Sequence, residues 1–277
     1  MIKKKLMKYS VYGGTGFVGG NFCQMFSDIS LPVKRDAREP LTDKVIYFIS
    51  TIHNYNVYDD LHLDIDTNLN VLVDVLDKCR DKNITFNFIS SWFVYGRSRL
   101  PAREDDYCDP KGFYSITKRA AEQLLISFCE TFGVKYRILR LCNVYGNGDK
   151  KSSSKKNAIQ YMIDLIKTGD DVNLYEGGYV LRDLMHVNDV CRAIKLVCER
   201  GELNTIYNIG SGQPVAIHSI MQQVKDHLNS PSKFNTIETP RFHDIVQSRD
   251  FYMDVSKLKS LGFNQTITLD DGIRSLL

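Results

Sequence analysis

The residues best suited to move a proton are Tyr114 and Lys118. They stand at positions i and i+4 of a stretch that reads as one long helix, 114–132, so they share a face. An ammonium beside a phenol favours phenolate and should lower the tyrosine pKa from its ordinary value of about 10. Tyr114 would then exchange protons near neutral pH. Ser91 is the natural third member. It follows the apolar run 84–89, a buried strand by composition, and the carboxyl ends of strands face the ligand crevice in open α/β sheets. A hydroxyl there can bond both a substrate oxygen and the tyrosine.

A second constellation binds rather than reacts. Gly13-x-x-Gly16-x-x-Gly19 lies between a short strand, 6–12, and an apolar-periodic helix reaching to about Asp28. Glycines let such a turn tighten and let backbone approach a pyrophosphate, while the helix start offers unpaired N–H groups. Gly13, Gly16, Phe17, Val18 and Gly19 are therefore candidate dinucleotide contacts, as is Ser50 after the run Val45–Ile49. The adenosine ribose should be read after the second strand, placed at 32–35, where Lys34, Arg35, Asp36 and Arg38 are available. An acidic residue suits the 2′-hydroxyl of NAD and an arginine the 2′-phosphate of NADP. Arg35 and Asp36 adjoin, so these residues leave the choice open; the cofactor expected for the chain is NAD, with NADP not excluded.

These residues need a scaffold that alternates strand and helix. Runs at 45–49, 84–89 and 136–141 read as buried strands, with helical periodicity at 65–80 and 114–132 between them. Gly133 marks a helix end. The expected fold is an α/β Rossmann-like, doubly wound parallel sheet. Beyond Tyr145 the texture changes to a Gly/Ser/Lys-rich loop, 146–157, then helices near 158–167, 187–200 and 215–229. The expected division is a cofactor-binding domain, 1–145 plus about 183–212, and a smaller α/β substrate-binding region, about 146–182 and 213–277.

Composition narrows the alternatives. The chain has 277 residues and a net charge of +3, too even a balance for a nucleic-acid partner. Seven cysteines without a C-x-x-C pair suggest reduced thiols in a cytoplasmic protein and no metal site. No apolar segment reaches membrane-spanning length.

Taken in order along the chain, these motifs resemble the extended short-chain dehydrogenase/reductase family of nucleotide-sugar epimerases, dehydratases and reductases. The resemblance rests on Gly13–Gly19, Ser91-x-x-Val94-Tyr-Gly96, Tyr114-x-x-x-Lys118, Arg140-Leu-Cys-Asn143-Val-Tyr-Gly146, Arg182-Asp-Leu-Met-His186-Val-Asn-Asp189-Val and the stretch Tyr207 to Gly212. It implies that Tyr114 is the acid/base, that Lys118 supports it and binds the nicotinamide ribose, and that Ser91 orients the sugar oxygen. Asn143, Asn157, Arg182 and Arg241 would contact a nucleotide diphosphate, for which an arginine fork is apt. It also implies a homodimer formed through helices near 65–80 and 113–132.

The chain departs from that pattern in places. The span 29–44 is too short for a full βαβαβ half, so the sheet should be narrower and the adenine pocket more open. Ser50 to Asn56 is polar where the family has small apolar residues, and His53 and Asn54 either face the ligands or belong to a polar loop. Trp92 and Phe93 occupy the positions of the dehydratases' Asp-Glu pair, and the cysteine of 3,5-epimerising reductases is absent at Phe93. What remains is redox at one sugar carbon, expected at C4. The expectation is an NAD(P)-dependent nucleotide-sugar epimerase, with an NADPH-dependent 4-keto-sugar reductase as the alternative and a non-catalytic cofactor-binding module behind both.

Overall fold

The computed structural model describes residues 7–148, 158–247 and 250–277. The chain opens with β1 (Tyr9–Tyr12), a glycine turn, α1 (Phe17–Met25), β2 (Ser30–Pro32) and β3 (Lys44–Tyr47). A broken helix follows: α2 (Leu63–Ile65), a π-helical turn over 66–70 and α3 (Val71–Asp77). Next come β4 (Thr85–Ser91), the long α4 (Phe113–Phe132), β5 (Lys135–Leu141), β6 (Asn143–Tyr145), α5 (Ala158–Thr168), β7 (Val172–Tyr175) and β8 (Leu181–His186). The chain continues through α6 (Val187–Arg200), β9 (Thr205–Ile209), β10 (Pro214–Ala216), α7 (Ile217–Leu228), β11 (Phe234–Ile237) and α8 (Arg241–Val246), before two short helices close it.

The main sheet has six strands in the order β2-β1-β3-β4-β5-β9, every pair parallel. Helices cover both faces. Phe22, Leu139 and Ile194 pack on one, and Leu72, Phe86 and Leu125 on the other. This is the Rossmann-like arrangement expected from the alternating runs. A three-stranded sheet, β10-β8-β6, and the pair β11-β7 form the smaller region, with its own core around Ile163, Leu174 and Met221.

The shortened first half takes a specific form. The edge strand β2 starts two residues earlier than expected and ends at Pro32, a residue that sheets tolerate at edges because it lacks an N–H. No helix crosses from β2 to β3. Instead the segment 33–43 returns directly and is clamped by Ser10, whose buried hydroxyl accepts the N–H groups of Leu41 and Thr42, each at 2.8 Å. A serine pointing out of β1 thus satisfies backbone that a covering helix would otherwise hide. Gly133 ends α4 in the left-handed region, φ +70°, as its position implied.

Candidate active site

The glycine turn is too tight for any other residue at two points. A Cβ on Gly19 would stand 2.4 Å from the Gly13 carbonyl oxygen. One on Gly13, at φ +76°, would stand 3.0 Å from the Ile49 nitrogen. Helix α1 therefore begins hard against the ends of β1 and β3. Its N-cap, Gly16, makes no side-chain cap, and the first helical bond runs from Gly20 N–H to Gly16 O at 2.7 Å. Phe17, Val18 and Gly19, whose N–H groups precede that bond, line a cleft of about 1730 Å³. An uncapped helix start behind a turn that bars side chains fits a pyrophosphate, and so the dinucleotide cofactor.

The same cleft runs along the carboxyl edge of the sheet, where β4 delivers Ser91 and the first turns of α4 deliver Tyr114 and Lys118. The Tyr114 phenol is buried, and the Ser91 and Ser50 hydroxyls stand close enough to act on its titration. Lys118 is buried, donates from Nζ to the Ile89 carbonyl oxygen at 2.7 Å and lies 4.2 Å from the centroid of the Phe88 ring.

The electrostatics correct one expectation. Burial pushes the Tyr114 phenol up to about 12, with the carboxylate of Asp64 adding to the rise and the Ser91 and Ser50 hydroxyls opposing it. Lys118 does not lower it, because the same burial draws the amine down to about 7 despite the nearby Glu122 carboxylate. In this dry site the dominant cost is that of keeping either group charged. Tyr114 thus holds its proton at neutral pH.

Behind Ser50 lies a polar network. Ser50 Oγ donates to Asn68 Oδ1 at 3.0 Å, Asn68 Nδ2 donates to Thr51 Oγ1 and Thr117 Oγ1, each at 2.9 Å, and the Thr51 hydroxyl donates to Asp64. Asn56 Nδ2 completes the shell of Asp64 at 2.8 Å. This cluster ties the broken helix to the end of β3 and to α4. Of the polar segment 50–56, His53 lines the cleft, whereas Asn54 turns away, donating to Ser115 Oγ at 3.0 Å on α4.

The opposite end of the cleft belongs to the smaller region. Asn143 lines it and donates to the Asp183 carbonyl oxygen at 3.2 Å. Arg182 also lines it, 5.8 Å from the Trp92 ring centroid, and donates to the Leu181 oxygen at 2.9 Å. Burial lowers its pKa to about 10, which leaves it cationic at neutral pH. The Asp183 carboxylate is occupied elsewhere, accepting from the N–H groups of Ser211, Gly212 and Met253. His186 caps α6, accepting from Asn188 N–H at 3.2 Å.

Three sequence candidates lie apart from this wall. Arg35 and Asp36 are exposed beyond β2, and Arg241 is exposed at the start of α8. Arg38 is engaged with Asp74 at 3.3 Å. Asn157 lies outside the described residues. Sequence reasoning also passed over residues that the fold brings to the cleft. His243 on α8 and Gln247 just beyond it reach the cleft, with His243 Nδ1 2.9 Å from the Tyr55 hydroxyl and its pKa drawn down to about 4 by burial and the charge of Arg182. Asp64 and Asn68 had a legible signal, polar side chains at i and i+4 on the buried face of a helix.

Among the described residues no group of side chains could hold a metal ion, and no helix is long and apolar enough to cross a membrane.

Comparison with known proteins agrees with this architecture. The chain is 26% identical to the low-salt glycan biosynthesis protein Agl12 of Haloferax volcanii, over 97% of each chain. It is likewise 26% identical to the GDP-6-deoxy-D-mannose reductase of Pseudomonas aeruginosa, over 96% of this chain and 95% of that protein. The crystal structure of the UDP-glucose 4-epimerase of Thermotoga maritima with UDP-glucose superposes with a TM-score of 0.87 over 98% of this chain and 97% of that one, at 20% identity, and so shares its fold. The family model described as the NAD dependent epimerase/dehydratase family matches residues 34–210, more than half of the sequence. The chain belongs to that family and is an NAD(P)-dependent enzyme of its extended short-chain dehydrogenase/reductase type.

Proposed function

We propose that the chain is an NAD(P)-dependent epimerase of a nucleotide-diphosphate sugar, oxidising and re-reducing one sugar carbon, C4, through a keto intermediate. The observation that carries this reading is one continuous cleft. It holds an open helix N-terminus at one end, the Ser91/Tyr114 hydroxyl pair at its centre and the buried cation of Arg182 at the other. The bound nicotinamide supplies hydride transfer. Gly13, Gly16, Phe17, Val18 and Gly19 hold its pyrophosphate, Ser50 and Lys118 border the nicotinamide end, and Arg35 and Asp36 face the adenosine side. Tyr114 exchanges a proton with the C4 oxygen, Ser91 holds that oxygen, and Asn143 and Arg182 engage the diphosphate. Asn157 and Arg241 are assigned to the same anion by sequence pattern alone. The cofactor domain is assigned to 1–145 with about 183–212, apart from β6 and β8, which pair in the smaller sheet, and the remaining segments carry the sugar nucleotide.

The second reading is a 4-keto-sugar reductase. It is favoured by the missing crossover helix and by the exposure of Arg35 and Asp36, which leave the adenosine side open for a cofactor that exchanges every turnover. The Pseudomonas aeruginosa reductase, similar over nearly its whole length, supports it too.

Mass spectrometry of nucleotide released from freshly purified, denatured protein separates the two. Stoichiometric NAD supports the epimerase. An empty site that takes up NADPH and consumes it with a 4-keto sugar supports the reductase. Failure to bind any dinucleotide overturns both.

Exposed Leu63, Val73, Ile116 and Leu124 on α2, α3 and α4 suit the pairing of two copies, and light scattering should give the mass of a dimer in the cytoplasmic, reduced state proposed here.

A further inference from the structure

The cleft beside Tyr114 is lined by unlike material: Ser50, Thr51 and His53 are polar, whereas Phe93 is aromatic. The Phe93 ring meets Tyr114 edge to face, with centroids 5.7 Å apart and planes at 84°. Phe93 is held in place. It stacks on Trp92 at 4.0 Å, Trp92 packs on the fully buried Phe251 at 4.6 Å, and Phe251 meets Tyr95 at 5.7 Å. Its own N–H donates to Ser91 Oγ at 3.4 Å, which sets Phe93 directly beside that serine. Among the described residues lining the cleft, the lysines and arginines are Lys118 and Arg182. The first is committed to the Ile89 carbonyl and the second is assigned to the diphosphate.

A sugar whose reacting oxygen lies beside Ser91 and Tyr114 brings a carbon next to the reacting one within reach of the Phe93 ring. We propose that Phe93, backed by Trp92, selects a nucleotide-activated 6-deoxyhexose, with the methyl group beside the reacting carbon lying against the Phe93 ring. The inference rests on the nucleotide-sugar reading above and holds for either direction of the redox step. A methyl group sheds little hydration there and gains aromatic contact. A hydroxymethyl would lose water without a partner, and a carboxylate would be stripped of hydration beside carbon.

The test uses sets of nucleotide sugars that share one nucleotide and one ring configuration and differ only at C6: methyl, hydroxymethyl or carboxylate. Each is offered on uridine, guanosine, cytidine and thymidine carriers, as the hexose and as its 4-keto form, with NAD and with NADPH. The expected result is a kcat/KM about 10–100-fold higher for methyl than for hydroxymethyl, with the carboxylate lower again. Phe93→Ser should bring methyl and hydroxymethyl close to parity while turnover continues. Equal turnover by the unaltered protein, or preference for hydroxymethyl or carboxylate, overturns the inference alone. Retention of the full methyl preference in an active Phe93→Ser chain removes Phe93 from the selection. Absence of turnover across the whole panel overturns the nucleotide-sugar reading and this inference with it.

Discussion

At the scale of single residues, the site is governed by dryness. Tyr114 and Lys118 share a helix face as their spacing required, yet burial moves each toward its neutral form. With its pKa near 12, the Tyr114 phenol is ready to donate a proton to a carbonyl oxygen and poor at accepting one from an alcohol. Oxidation should therefore accelerate as pH rises through the alkaline range, while reduction stays flat near neutrality. Tyr114→Phe should lower kcat by about 10²–10⁴-fold while leaving dinucleotide affinity nearly unchanged, as steady-state kinetics alongside equilibrium titration would show. An unchanged kcat would remove Tyr114 from the proton transfer. Lys118 makes a separate prediction about stability. Its folded pKa of about 7 lies below the ordinary 10.5, so between these values the unfolded chain binds the extra proton. Stability then rises with pH across that window. In the cofactor-free protein Lys118→Met should abolish this part of the rise, measured as Tm at pH 7 and pH 9. An identical pH slope in both proteins would show that Lys118 stays charged when folded.

At the scale of elements, the question is what keeps α4 aimed. Arg140 on β5 donates to both oxygens of Glu122 on α4, from Nε at 3.0 Å and from NH2 at 2.8 Å, and Arg119 adds a third bond at 2.8 Å. Arg140 and Glu122 are fully buried, and each holds the other in its charged form. Removing one partner strands the other. Arg140→Leu should cost about 3–5 kcal/mol, and replacing Glu122 with Leu as well should recover much of that loss, read from urea unfolding of both variants. Arg140 stood in the sequence as part of a motif, and its role as the brace of α4 emerges only when β4 and β5 are paired. This marks the division between what could be read from sequence and what could not. Glycine spacing, the Tyr/Lys interval and long apolar runs are local, so the turn, the α4 face and strands β3, β4 and β5 were legible to within a few residues. The bond from Asn68 to Thr117 and the arrival of His243 beside Tyr55 depend on partners 49 and 188 residues away along the chain. The depressed tyrosine pKa failed for the same reason: spacing reports the neighbour and not the solvent. Strand β2 was misplaced because three residues ending in proline carry almost no periodic signal.

At the scale of the whole molecule, two regions meet over one cleft. The parallel sheet contributes the glycine turn and Ser91, the helix beside it contributes Tyr114, and the smaller region contributes Asn143 and Arg182. The chain has a single tryptophan, Trp92, placed where the two meet, with Phe93 and Phe251 against its ring and the Arg182 guanidinium 5.8 Å away. That placement gives the protein a built-in optical gauge. Any anion drawn to Arg182 changes the field around the only indole, so adding a nucleoside diphosphate should change the intrinsic emission in a saturable way. Trp92→Phe should silence the signal. A flat trace alongside binding heat in calorimetry would locate the diphosphate away from Arg182. The fluorescence of the unmodified chain can therefore follow occupancy at the Arg182 end of the cleft, before the identity of the ligand is known.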